Sequence, residues 1–195
     1  MAGHGPVGAP RPVASGRGHV VVDGRSEVAL ESVLLLRRSG VDVRGGWHAG
    51  DAAELAVAAG APPPALVVLG REAPLRPWSA TPWQARGVAH LPVEHLAAGL
   101  AVGPLVLPGR SACLRCVLGS RPATPPPDPG GHGVPGVPAV VLAAAVVTVT
   151  AHAVLRGDES LAGISTEIGP GATTVTHRLW PALPDCRCAS ARMAG

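Results

Sequence analysis

From residue 19 onward the apolar positions fall into short runs alternating with segments of helical spacing. HVVVDG at 19–24 is a compact apolar run closed by Gly24, and it reads as a buried strand. SEVALESVLLLRRSG follows, with Ser26 placed to cap a helix, apolar residues at helical spacing, Arg37 and Arg38 in the last turn, and Gly40 as its stop. VDVR gives a second short strand. DAAELAVAAG then predicts a helix with Asp51 and Glu54 at the spacing of a capping box and Gly60 at its end. ALVVLG at 65–70 is a third strand, Thr81-Pro82 opens a short helix through Trp83 and Arg86 that stops at Gly87, and VAHLPV at 88–93 is a fourth strand. Strands alternating with short helices predict a parallel sheet of the Rossmann kind.

Beyond residue 100 the pattern changes. LAVGPLVLPG is strand-like but interrupted, and the Pro/Gly-rich stretch over 118–137 predicts a long loop that forms neither helix nor strand. PAVVLAAAVVTVTAHAVL at 138–155 has the bare length of a membrane span. Its small Ala and Thr side chains and its internal His152 favour a buried helix instead. AGISTEIG and TTVTHRLW, joined by Pro170-Gly171, read as a β-hairpin. The predicted fold class is α/β: a Rossmann-like, mostly parallel sheet with a C-terminal antiparallel hairpin and a clamped tail. A single domain is expected over 19–190, preceded by a disordered arm at 1–18 and followed by a tail at 191–195.

Composition narrows the chemistry. The chain contains no Phe, Tyr, Lys or Asn and only four Trp, so the core must be Val, Leu and Ala, and every one of the 16 basic residues is Arg. The missing residue types are those that AT-rich codons specify, which attributes the Arg usage to a GC-rich genome. The net charge of +3 is spread singly among 13 acids with no basic stripe, which argues against nucleic-acid binding. The N-terminal segment has no apolar stretch of the signal-peptide kind, so a cytoplasmic location is expected.

Four cysteines stand in two close pairs, Cys113 and Cys116 in GPLVLPGRSACLRC and Cys186 and Cys188 in WPALPDCRC. Two such pairs far apart in sequence suit a four-thiolate zinc site, in which the fold brings the pairs together. A closed tetrahedral site leaves no position for substrate, so the zinc would be structural. The competing readings are a thiol-disulfide motif in CLRC and four incidental buried thiols. A redox motif would sit at the start of a helix after a strand, whereas a Pro/Gly loop follows CLRC within a few residues. Ser111 has no nucleophile-elbow motif around it, and no two histidines stand at a metal-binding helical spacing. Each histidine is expected to be a surface group or a satisfied core group. Trp78 and Trp83, which flank a short helix, are expected to pack against the sheet edge.

These cysteine motifs, in this order along the chain, resemble the zinc-binding motifs of ThiF/MoeB-type adenylating proteins, relatives of the ubiquitin-like modifier activating enzymes. The likeness is nearest to the actinobacterial branch of bacteriocin-biosynthesis cyclodehydratase domains that partner YcaO proteins, although Leu183-Pro184 stands where His-Pro is usual. The resemblance spans about residues 19–188. It implies a partner role beside a YcaO-type cyclodehydratase and a precursor peptide, and a homodimer is common among such proteins. It also implies an ATP site on a glycine-rich turn after the first strand. In VVVDGRSEVALES only Gly24 of that turn survives, Glu27 stands where a phosphate would lie, and no Lys exists to meet phosphates. No catalytic or nucleotide-binding residue is therefore assigned, and ATP is not expected as a cofactor. The alternatives kept are an active ThiF/MoeB-type adenylyltransferase and a thiol-redox protein.

Overall fold

The computed structural model describes residues 18–70, 76–96, 99–121, 135–186 and 188. All but the last residue of the 1–18 arm, most of the 118–137 stretch and the 191–195 tail lie outside the described residues. The element order is β1 (Val20–Asp23), α1 (Glu27–Arg38), β2 (Val43–Gly46), α2 (Ala49–Ala58) and β3 (Leu66–Leu69). A 3-10 turn (Pro77–Ala80) and α3 (Thr81–Ala85) lead to β4 (Ala89–Leu96) and β5 (Gly99–Val102). The chain then forms α4 (Leu114–Ser120), α5 (Val137–Leu155), β6 (Ile164–Ile168) and β7 (Val175–Leu179).

One seven-stranded sheet runs in the order β2-β1-β3-β4-β5-β6-β7. The first four strands in that order are parallel, and β4 to β7 are joined antiparallel. This is the mixed α/β sheet expected, with the hairpin in place. β4 makes the change of direction. Its Ala89–Pro92 half pairs parallel with β3 and its Val93–Leu96 half antiparallel with β5. It therefore runs past Val93, where the sequence pattern stopped, because its second half finds a partner that only the tertiary fold supplies.

Burial follows the alternation of the strands. Val20 and Val22 face α1 and α5, while Val21, Val67 and Leu69 face Ala53 of α2, Trp83 and Leu114 of α4. All three valines of β1 are fully buried, which is why the strand reads as an unbroken apolar run. Without Phe or Tyr, close packing comes from small side chains. Ala139, Ala143, Ala144 and Ala151 let α5 approach the sheet and α1. By length and composition α5 could cross a membrane, but half of it is buried within the fold.

Local signals explain most helix ends. Ser26 accepts a hydrogen bond from the Ala29 N–H at 3.2 Å, with Glu27 in the first turn and Arg37 and Arg38 in the last, all favourable to the helix dipole. Gly40, at φ +79°, closes α1. β2 lies two residues later than VDVR, at Val43–Gly46. The capping box expected from Asp51 and Glu54 does not form: α2 begins at Ala49, and Asp51 binds the His48 ring at 3.0 Å. Its early N–H at Gly50 is received at 3.1 Å by the Asp23 carboxylate from the end of β1, a cap supplied across the fold.

The loop expected over 118–137 is also narrower than that range. α4 continues through Ser120 and α5 already begins at Val137. CLRC thus does open a helix, because seven residues fit before Pro122.

Candidate functional site

The two cysteine pairs meet. Cys113 occupies the N-cap position of α4 and Cys116 lies within its first turn, a three-residue spacing that puts both thiols on one side of the helix. The chain leaves β7 through Trp180 and turns at Pro184-Asp185, where the Cys186 N–H donates to Leu183 O at 3.0 Å. That turn delivers Cys186 Sγ to 3.6 Å from Cys113 Sγ and Cys188 Sγ to 3.4 Å from Cys116 Sγ, while Cys113 and Cys116 are 3.8 Å apart. All four sulfurs lie within 4.8 Å of one another.

These separations exclude disulfides, whose sulfurs are about 2.0 Å apart. They match the edge of a tetrahedron instead: four thiolates at ~2.3 Å from one ion would stand ~3.8 Å apart. The four cysteines could hold a metal ion. Around them Ala112, Val117, Trp180 and Leu183 form a small apolar shell. The Leu183 N–H points at Cys116 Sγ at 3.4 Å, the kind of backbone donor that supports a thiolate ligand. Trp180 is fixed by its indole N–H on Ser165 Oγ at 2.8 Å, with the Arg178 guanidinium 5.0 Å from its ring.

Electrostatics points the same way. Burial pushes the Cys113 and Cys188 thiols up. At Cys186 burial acts likewise but is outweighed by hydrogen bonds, from Cys188 first and then Cys116 and Cys113, and its thiol is drawn down to about 7. Four adjacent thiols cannot all ionise unless a cation shares their charge.

The second place of interest is the C-terminal end of the parallel strands, where open α/β sheets bind ligands. Here the strand ends are tied to each other. The Gly24 N–H donates to Gly46 O at 3.0 Å, the Gly70 N–H donates to Asp23 O at 2.8 Å, and Ser26 Oγ donates to Gly70 O at 3.2 Å. A Cβ on Gly70 would meet Ala29 Cβ at 3.1 Å, and one on Gly50 would meet the Asp23 carboxylate at 2.9 Å. Arg25, exposed at this turn, packs on an aromatic ring. Its guanidinium stacks 3.8 Å from the centre of the half-exposed Trp47 ring, which in turn meets His48 edge-on.

The other sequence candidates have structural roles or none. Ser111 Oγ accepts from the Leu107 N–H at 2.8 Å and donates to Leu105 O at 3.3 Å, holding the turn before α4. Trp83 is buried as expected, but Trp78 is 67% exposed. His90 is wholly buried and only half satisfied: Nδ1 meets Val88 O at 3.0 Å, while Nε2 has no partner. A cavity of about 370 Å³ lies at the opposite, N-terminal end of the strands, walled by Pro62, Pro63 and Pro64. On its rim Arg110 pairs with Glu159, and Arg86 pairs with Glu54 of α2. Trp47 was missed by sequence reasoning. The available signal was an aromatic directly after Gly-Gly in a chain almost without aromatics.

The α/β fold expected from the sequence is the one observed, a seven-stranded mixed sheet with the four cysteines gathered beside its antiparallel half. Solved structures agree. Escherichia coli MccB superposes with a TM-score of 0.62 at 12% identity over 87% of this chain and 64% of MccB. The heterocyclase TruD gives 0.55 at 16% identity, over 87% of this chain and 27% of TruD. A heterocyclase in complex with substrate and cofactor gives 0.58 at 14%, over 86% and 25%. The chain thus spans about a quarter of these heterocyclases and under two thirds of MccB. No protein-family model and no curated protein sequence matches the chain.

Proposed function

We propose that this chain is a catalytically degenerate, ThiF-like partner protein of the cyclodehydratase kind, acting in the biosynthesis of a thiazole- or oxazole-modified, bacteriocin-like ribosomal peptide. The observation that carries the reading is the state of the strand ends in a fold shared with heterocyclases and MccB. MccB has been solved with ATP. In this chain the first turn of α1 carries the acidic Glu27, its Ala29 N–H is taken by Ser26, and Arg25 is laid on Trp47. An anion seeking the helix N-terminus meets a carboxylate and a donor already engaged. The protein's work would then be positioning: it would hold a precursor peptide or a YcaO-type cyclodehydratase that performs the ATP-dependent ring closure.

Cys113, Cys116, Cys186 and Cys188 would hold a structural zinc. When bound, the ion would supply the charge that keeps four thiolates together and would fasten the tail onto α4. Four reduced thiols suit the cytoplasm. A two-thiol redox centre is disfavoured because each sulfur has more than one neighbour within reach.

Reconstitution tests the role. A YcaO-type enzyme and a Cys/Ser/Thr-rich peptide are incubated with ATP, and the loss of one water per ring is read by mass spectrometry. Faster ring formation with this chain added, at unchanged ATP turnover per ring, supports a positioning partner. No acceleration, or ATP consumed by this chain alone, overturns it.

A further inference from the structure

β7 is the last strand in the sheet order, and all five of its residues, Val175 to Leu179, are exposed. Its register with β6 fixes which of its backbone groups are already engaged. The Gly169 N–H donates to Thr174 O and the Trp180 N–H donates to Gly163 O, with Glu167↔Thr176 and Ser165↔Arg178 paired between them. Hydrogen-bonded pairs recur at every second residue of an antiparallel ladder. Thr176 and Arg178 therefore turn their N–H and C=O groups toward β6, and Val175, His177 and Leu179 turn theirs away from the sheet.

An edge of this kind accepts another strand unless something blocks it: a proline, a bulge, an inward-pointing charge or a covering element. β7 has no proline, and its one-to-one register has no bulge. Its two basic side chains are drawn back over the sheet. His177 Nδ1 lies 3.1 Å from Thr166 Oγ1 on β6, and Arg178 lies over Trp180. Val175 and Leu179 project from the same face as His177 and remain 44% and 70% exposed. They offer apolar contact to alternate side chains of an added strand.

Charge selects the occupant. β7 and the turn from Gly169 to Thr174 contain no acid, and the nearest on the sheet, Glu167, is one strand further in. Two copies of β7 paired antiparallel through these outward groups about a two-fold at His177 would set His177 against its own copy and Arg178 diagonal to the second copy's Arg178, a like-group arrangement that is unfavourable. We propose that β7 is the docking edge for an extended acidic peptide segment, which adds to the sheet as an eighth strand with a carboxylate beside Arg178. The inference rests on the reading above that the chain's partner includes a peptide.

The test uses the full chain and two fluorescein-labelled probes, (Val-Glu)5 and (Val-Lys)5, followed by anisotropy. His177→Pro removes an outward N–H and leaves the β6 ladder intact, while Arg178→Glu reverses the charge without touching the backbone. The expected result is saturable binding of (Val-Glu)5, weakened at least ~10-fold by either variant and at least ~10-fold weaker for (Val-Lys)5. Thermal melts report whether His177→Pro folds; should it not, Arg178→Glu and the probe pair decide. No saturation at ~1 mM, equal binding of both probes, or binding untouched by the variants overturns the proposal. So does a dimer in sedimentation velocity that Arg178→Glu abolishes. ATP binding by a chain that still takes (Val-Glu)5 would sink the degenerate reading and leave this one. Failure of the probe in a chain that does not bind ATP would remove this one alone.

Discussion

With the proposed zinc held by the four cysteines, stripping it, or replacing Cys116 by Ser, is expected to release the tail and destabilise the whole domain. Cys116 is fully buried and faces Cys188 at a sequence separation of 72 residues, so the cluster closes a long loop that includes α5, β6 and β7. Treating the clamp as a single cross-link over that loop, the chain-entropy relation gives about 4 kcal/mol of stabilisation at 25 °C. A four-ligand ion would supply at least that much, since it fixes two chain segments through four bonds. In a domain of this size each kcal/mol moves Tm by about 2–4 °C, so the loss should lower Tm by about 10 °C. The assay is a melt followed by circular dichroism of protein as purified, after chelation under reducing conditions, and after zinc is returned. Cys116→Ser should melt like the chelated protein and should not respond to zinc. Metal analysis should find one zinc per chain in the wild type. A chelated protein whose Tm stays within ~2 °C of the untreated one would refute the clamp, and so would a wild type purified without metal.

Three further outcomes follow from the geometry. His90 is buried neutral with its pKa lowered to about 4, first by burial and in spite of its bond to Val88 O. The stabilisation is fully present above its unfolded pKa near 6.5 and is lost as pH falls toward 4, amounting to about 3 kcal/mol; urea melts across that window should show the fall, and His90→Leu should flatten it by about that amount. Ser26→Ala should cost about 1 kcal/mol in urea unfolding, because it orphans the Ala29 N–H and frees the Gly70 carbonyl. Gly50→Ala should destabilise by about 1–3 kcal/mol by driving a methyl into the buried Asp23 carboxylate, and an unchanged melt would contradict the packing described there.

What could be read from the sequence was what local chemistry decides. The β1–α1 unit was legible because three consecutive valines, Ser26 and Gly40 each announce their role within a few residues. The cysteine cluster was legible because paired thiols leave few alternatives once the pairs are brought together. The α2 start was misread because its cap comes from Asp23, 27 residues away, and the Asp51–Glu54 spacing imitates a local one. The second half of β4 and the helix opened by Cys113 were hidden for a similar reason. Each depends on a neighbour or a boundary that periodicity does not record. At the strand ends, the single glycine after β1 was visible, but the stacking of Arg25 on Trp47 brings together residues of different loops and needed coordinates.

On the reading proposed above, the ends of the parallel strands, where Ser26, Glu27, Arg25 and Trp47 lie, take no nucleotide. Isothermal titration of the metal-loaded protein with ATP and magnesium tests it most directly. No saturable heat is expected up to ~1 mM ATP. Magnesium-dependent binding in the micromolar range would contradict it and would point to an active adenylyltransferase.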